Sequence, residues 1–347
     1  MKLEEFLHVV ERPFVVVGTL LQKDREAVVK FLLALQAPVY LEGISGLREE
    51  PRLRHLSIRY LPNLWERAAE TRYPIDGILR LGGIPTCRLW RDLEGMRGEV
   101  PVCSMSHLPF TGLSWGSVVY GSISAALSAF VLSQRVSKAE EWHALDAACF
   151  RATEELFREY PCAEPSLFYA LSQHIPFGST VYLGNSSPIR EWDLAATVRP
   201  RNLTMFASRG LNGIDGQIST FLGLCRPQRQ NWGIFGDLTV LYDMAGPWIL
   251  EQLGDLSAAF VVVNNGGGQI FSRMFSDKTF QNRHSLSFAS LALFWRLDYE
   301  RWEAIPQNGQ TGGKAMIELC PDRGATEQFW EKYEALAHTV RITELAK

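Results

Sequence analysis

Asp237 and the pair Asn264–Asn265 are the residues whose types and spacing could do chemistry. Asp237 follows the apolar run NWGIFG, while the two asparagines follow AAFVVV and lead into three glycines, Gly266, Gly267 and Gly268. The segment between them is too long for a hairpin and suits a helix, so the two runs read as parallel strands joined by a crossover. Their C-terminal ends then share one sheet edge, where a carboxylate, a carboxamide and glycine-rich backbone meet. Hard divalent cations take oxygen ligands of this kind, and exposed backbone N–H groups bind phosphate oxygens. The combination suits a Mg²⁺–diphosphate cofactor site. An ordinary βαβ unit whose Asp and Asn only cap turns fits the same residues.

Two further clusters carry polar chemistry. GNSSPIR offers Asn185 and Ser186 as donors to an anion, with Arg190 beyond them. A turn capping the next helix is the plainer alternative. SRGLNGIDG sets Arg209 against Gly210, Gly213 and Gly216, which let backbone approach a ligand closely. A solvated arginine beside a flexible turn fits equally well, and Asp215 could be a helix cap and nothing more. Two arginines at one sheet edge would present planar forks to carboxylates.

The elements that must position these clusters are strands at helical spacing. TVYLGN, LTMFAS, WGIFGD, AAFVVV and KAMIEL are buried-strand patterns separated by helical stretches, which predicts a parallel sheet with helices on both faces. Ligands of such sheets bind at the C-terminal strand ends, where every polar cluster of this half falls. The first half starts with Phe14–Val17, a helix to about Leu35 and the strand PVYLEG. Ile75–Leu81 and Val100–Cys103 are further strands, with Arg88 in the turn-rich loop GGIPTCRLWRDL between them. Gly116–Phe130 reads as a strand and helix. VVVGTLLQ lacks the later glycines of a dinucleotide fingerprint, so it signals fold and not an NAD site. Ser137–Glu140 is a capping box for a helix running to about Tyr160, and Pro165–His174 is the next helix. The expectation is an α/β protein of two doubly wound domains with mainly parallel sheets: residues 1–135, a helical connector 136–164, and 165–347.

Bulk composition narrows the function classes. A chain of 347 residues suits two domains, and 46% apolar with 21% charged residues is ordinary globular composition. A net charge of −3 argues against nucleic acid or an anionic membrane as partner. No apolar run reaches membrane-spanning length, and the acidic N-terminal stretch MKLEEFLHVVERPF is unlike a signal peptide. Six scattered cysteines without a CxxC pair suit reduced thiols in a cytoplasmic protein. Seven histidines without HExxH or clustered ligand spacing argue against a zinc enzyme.

The Gly236-Asp237 to Asn264-Asn265 spacing resembles the thiamine-diphosphate signature of the decarboxylase and synthase superfamily, with GDL here in place of its usual GDG. LGNSSPIR, SRGLNGIDGQIST, GDLTVLYD and VVVNNGGGQIF together resemble one branch, the MenD family of menaquinone biosynthesis. The likeness runs from about Arg12 to the C-terminal helix and implies a central domain followed by a diphosphate-binding domain. It implies that Asp237, Asn265 and the Gly267 carbonyl hold Mg²⁺ (or Mn²⁺), and that Asn185, Ser186, Leu238 and Thr239 contact the diphosphate. Ile214 would be the apolar wedge bending thiamine diphosphate. Arg88, Arg190 and Arg209 would bind substrate carboxylates, and Ile270, Phe271 and Met274 would wall the pocket. The family usually has a third asparagine where this chain has Gly266, and a lysine where it has Cys87. The implied reaction is decarboxylation of 2-oxoglutarate and conjugate addition of the succinyl carbanion equivalent to isochorismate.

The resemblance also implies a pyrimidine-binding domain, carrying the glutamate that activates the cofactor, ahead of the region matched here. Within this chain Glu42 lies in a turn and Glu300 of DYERW reads as solvated helix surface, so no catalytic glutamate is identified. The expectation is a polypeptide completed by a separate pyrimidine-domain chain, in a homo-oligomer, or a piece of a longer gene product. A non-catalytic binding or assembly module and another thiamine-diphosphate-dependent 2-oxoacid decarboxylase or synthase are the alternatives.

Overall fold

The computed structural model describes residues 2–130, 136–272, 274–275, 277–307 and 313–340. The chain divides into two compact units, Met1–Glu155 with Glu331–Lys347, and Leu156–Trp330. Both divisions fall inside helices, Glu140–Glu159 and Arg323–Thr339.

The first unit holds β1 (Pro13–Val17), β2 (Val39–Leu41), β3 (Gly77–Leu81), β4 (Val102–Ser106) and β5 (Val119–Tyr120), in the spatial order β2-β1-β3-β4-β5 with every pairing parallel. The alternation of a strand explains why these runs are apolar throughout. Val15, Val17, Val39, Leu41, Leu79 and Leu81 pack into one core, whereas Phe14, Val16, Tyr40 and Ile78 pack into another on the opposite face. The second core includes Trp142 and Leu145 of the helix Glu140–Glu159. Ser137 does not open this helix. Its hydroxyl accepts from Ala139 N–H (3.4 Å), and helical structure begins at Glu140. The local hydrogen bond satisfies Ser137 before the helix starts, so the capping-box pattern places the terminus two residues early.

The second unit holds β6 (Thr180–Leu183), β7 (Thr204–Phe206), β8 (Asn231–Gly236), β9 (Ala258–Val263), β10 (Asp298–Trp302) and β11 (Lys314–Leu319). Their spatial order is β10-β11-β9-β8-β6-β7, again wholly parallel. β10 is the segment DYERW, expected above as helix surface. It is an edge strand with Asp298, Glu300 and Arg301 exposed and only Trp302 buried. Pairing on one side leaves its polar groups in water, which removes the apolar run by which the other strands announce themselves.

Strand order reverses between β6 and β8, so the loops after these strands flank the crevice where doubly wound sheets bind ligands. β8 is held there by an aromatic cluster: Phe235 lies 5.8 Å from both Tyr182 and Phe221, ring centre to ring centre. Gly233 makes room for it, because a Cβ there would lie 2.5 Å from Phe235 and 2.9 Å from Phe221. Both rings are fully buried and cannot retreat. Gly233→Ala should therefore lower stability by about 1–3 kcal/mol through overpacking, read as a lower urea midpoint with unchanged slope.

In the first unit, burial pushes the imidazole of His143 down to about 4, with nearby His55 adding to the effect and Glu140 opposing it. The folded state thus binds fewer protons than the unfolded chain between that value and about 6.5. The associated stability is present above this window and is lost as pH falls through it. His143→Leu should narrow the difference between urea midpoints at pH 7 and pH 4.5; an unchanged difference would assign the acid sensitivity elsewhere.

Candidate functional site

Asp237 stands one residue beyond the last β8–β9 pair, Gly236 with Val263, and opens the helix Asp237–Tyr242. The residue is 2% exposed. Oδ1 accepts from the Leu238 N–H (2.6 Å), while Oδ2 accepts from the N–H groups of Gly266 (3.0 Å) and Gly267 (2.9 Å). His284 Nε2 lies 3.3 Å from Oδ2, and the His284 N–H donates to the Gly266 carbonyl (3.2 Å). One carboxylate thus ties the end of β8 to the loop after β9.

Glycine is needed in that loop for two different reasons. Gly267 has φ +126°, and a Cβ there would lie 2.5 Å from the Gln281 carbonyl oxygen. Gly266 has φ +80°, with His284 O 3.3 Å from an added Cβ. The second conformation is close to the left-handed region that asparagine visits readily; the first is open to glycine alone.

The asparagine pair divides. Asn264 Nδ2 donates to Leu286 O (2.8 Å) and to Glu318 Oε1 (2.7 Å), a buried carboxylate that also accepts from Phe288 N–H and Tyr299 O–H. Asn264 therefore braces the sheet edge. Asn265 Nδ2 donates instead to Glu164 Oε2 (2.9 Å), while Asn265 Oδ1 is buried without a hydrogen-bond partner among the described residues. Burial pushes Glu164 up to about 7, the charge of Asp237 adding to this and the Asn265 hydrogen bond opposing it. Burial also raises Asp237, against the pull of the Gly267, Leu238 and Gly266 N–H groups and of His284. Among the described residues neither carboxylate is ion-paired with Lys or Arg.

The donor set fits a hard divalent cation. Asp237 has lone pairs left on Oδ1, Asn265 Oδ1 is an unpartnered buried oxygen, and the Gly267 carbonyl accepts one N–H, from Gln269 (2.8 Å). Among the described residues no three His, Cys, Asp or Glu side chains group as a metal site, so a cation here would draw on one carboxylate, one carboxamide and backbone.

Beside this centre, Asn185 follows β6 by two residues and is 1% exposed. Its Nδ2 donates to Gly213 O (2.7 Å), its N–H to Gln217 Oε1 (2.9 Å), and its Oδ1 accepts from Arg209 Nη1 (2.7 Å). The structure therefore joins Asn185 to Arg209, with the carboxamide engaged at both ends. Ser186 turns the chain at φ 72°, ψ −129°, a conformation rare outside glycine, into the helix Ser187–Ala195. Arg190 is exposed on that helix and donates to Ser186 O (2.6 Å). Leu238 and Ile214 are half-buried, and Thr239 is buried in the helix that Asp237 opens. Ile270 is half-buried, whereas Phe271 and Met274 are exposed. Arg88 belongs to the other unit, at the start of the helix Arg88–Asp92, and pairs with Asp92 (3.4 Å). There Glu42 is fully buried, accepting from the N–H groups of Thr86 and Cys87.

Glu164, His284 and Gln217 escaped the sequence reading. Glu164 and His284 sit well outside the motifs they serve, and Gln217, within SRGLNGIDGQIST, reaches across to Asn185 of another; a lone glutamate opening a helix carries no local signal.

No protein-family model matches the chain. It is 42% identical, over 96% of its own length, to the 2-succinyl-5-enolpyruvyl-6-hydroxy-3-cyclohexene-1-carboxylate synthase of Bdellovibrio bacteriovorus, of which it covers 64%. It is 34% identical over 85% of its length to the synthase of the same name from Akkermansia muciniphila, covering 56% of that protein. With that of Lysinibacillus sphaericus it shares 25% identity over 96% of the chain and 63% of the relative. The chain thus spans less than two thirds of the length of these relatives.

The two glycines yield a paired prediction. Gly267→Ala should destabilise the protein by roughly 1–3 kcal/mol from backbone strain alone, whereas Gly266→Asn should leave the thermal midpoint nearly unchanged. Equal effects would mean that the loop does not hold these conformations.

Proposed function

We propose, for a chain that belongs over the part it spans to the family of 2-succinyl-5-enolpyruvyl-6-hydroxy-3-cyclohexene-1-carboxylate synthases, that it forms the cation- and diphosphate-binding end of such an enzyme. The observation that carries this reading is the buried Asp237 carboxylate, clamped by Gly266 and Gly267 N–H groups beside an unpartnered Asn265 oxygen. The cofactor is thiamine diphosphate with Mg²⁺ or Mn²⁺; the substrates are 2-oxoglutarate and isochorismate. Bound thiamine diphosphate would supply the chemistry that removes CO₂ from the first substrate and transfers the remaining four carbons to the second.

The chain's own residues orient and neutralise. Asp237, Asn265 and the Gly267 carbonyl would hold the cation, and Leu238 and Thr239 would lie against the diphosphate at a helix start. Ser186 would approach it from the turn after β6. Arg209, braced by Asn185, and Arg190, on its helix, would take substrate carboxylates. Ile214, Ile270, Phe271 and Met274 would exclude water from the reacting atoms. The protonation that activates the cofactor would come from a glutamate of a pyrimidine-binding domain, in a cytoplasmic homo-oligomer.

Calorimetric titration tests this. Thiamine diphosphate with Mg²⁺ should bind weakly or not at all to this chain alone, and tightly once the pyrimidine-domain partner is added. Asp237→Ala should abolish the tight phase. A reconstituted pair that binds cofactor but releases no CO₂ from 2-oxoglutarate would contradict the assignment.

A further inference from the structure

Asn265 presents a chemical ambiguity. The two ends of a carboxamide are nearly the same size and opposite in character: one donates, the other accepts. Only the oxygen can ligate a hard cation, and an isolated asparagine is free to turn either way. Something must select the orientation.

Glu164 is placed to do so. The 2.9 Å contact runs from the Asn265 NH₂ group to Glu164 Oε2, the direction that the ionised carboxylate enforces, and it leaves Oδ1 as the end available to a ligand. That oxygen is buried and has no hydrogen-bond partner among the described residues. Glu164 is itself fixed, being the first residue of the helix Glu164–His174 and 4% exposed. Its backbone N–H donates to Thr326 Oγ1 (3.0 Å), whose hydroxyl donates to Asp322 O (2.6 Å), and Asp322 N–H donates to Cys162 O (2.9 Å). The selecting carboxylate is thus anchored through backbone on the C-terminal side of β11, 101 residues from the side chain it orients.

We infer that Glu164 is a positioning residue, holding Asn265 by its nitrogen so that the carboxamide oxygen is the atom offered to the divalent cation. The inference rests on the cation reading given above. Outer partners of this kind typically change metal affinity by about tenfold to a hundredfold.

The test uses the full chain supplemented with the pyrimidine-binding domain, Mn²⁺ and thiamine diphosphate, free Mn²⁺ being read by electron paramagnetic resonance. Glu164→Ala should weaken Mn²⁺ binding by about tenfold or more. Glu164→Gln, whose side-chain oxygen can still accept from the Asn265 NH₂, should bind close to wild type. Were Glu164 itself a ligand, Glu164→Gln would fall with Glu164→Ala, and that result overturns the positioning role. Without metal, the Asn265 side-chain amide resonances should shift in Glu164→Ala and persist in Glu164→Gln. Unmoved amide resonances, or wild-type Mn²⁺ affinity in Glu164→Ala, overturn the inference. A wild-type chain that takes up no Mn²⁺ even when supplemented with that domain, with amide resonances still moved by Glu164→Ala, overturns the cation reading and with it the functional role, while the hydrogen bond stands.

Discussion

The site depends on one buried carboxylate. Asp237 accepts three backbone N–H groups, one from its own helix start and two from the loop after the neighbouring strand. Burial disfavours its charge, and those donors offset the penalty only in part, since its acidity remains weakened. A buried acid with no Lys or Arg counter-ion among the described residues is an electrostatic deficit that a divalent cation would fill. The same bonds fix the path of the glycine loop, so the group that would ligate also builds the surroundings of the ligand.

The sheet explains why the group sits there. Parallel strands put all their C-terminal ends at one edge, and the reversal of order between β6 and β8 opens a crevice at that edge. Asn185 with Arg209, Asp237 with Gly266 and Gly267, and Asn265 with Glu164 all occur on loops leaving it or packed beside it. The buried pairs Asn264–Glu318 and Asn265–Glu164 show how two identical adjacent side chains acquire different work. The pleat and the turn send them to different acceptors, one bracing the sheet and one leaving its oxygen unclaimed.

Much of this was legible in the sequence because burial on both faces writes strands as continuous apolar runs: FVVV, TVYL, WGIFG, AAFVVV and KAMIEL all form strands. Both parallel sheets follow from that pattern. β10 was not legible, because an edge strand with exposed charges looks like any solvated segment. The start of the helix at Glu140 was blurred by a local serine hydrogen bond. Asp237, Asn265 and the glycines stood out through spacing. Glu164 and His284 did not, since a contact spanning about a hundred residues in one case, and a loop packed back on itself in the other, leaves no periodicity to read.

Hydrogen exchange at single amides reaches the central claim most directly. In the wild-type chain the Gly266 and Gly267 N–H groups should exchange far more slowly than a surface loop, and Asp237→Ala should bring both to loop rates while β9 stays protected. Fast exchange at both glycines in the wild type, or protection that survives Asp237→Ala, would show that the carboxylate does not hold the loop and that the site is not built as described.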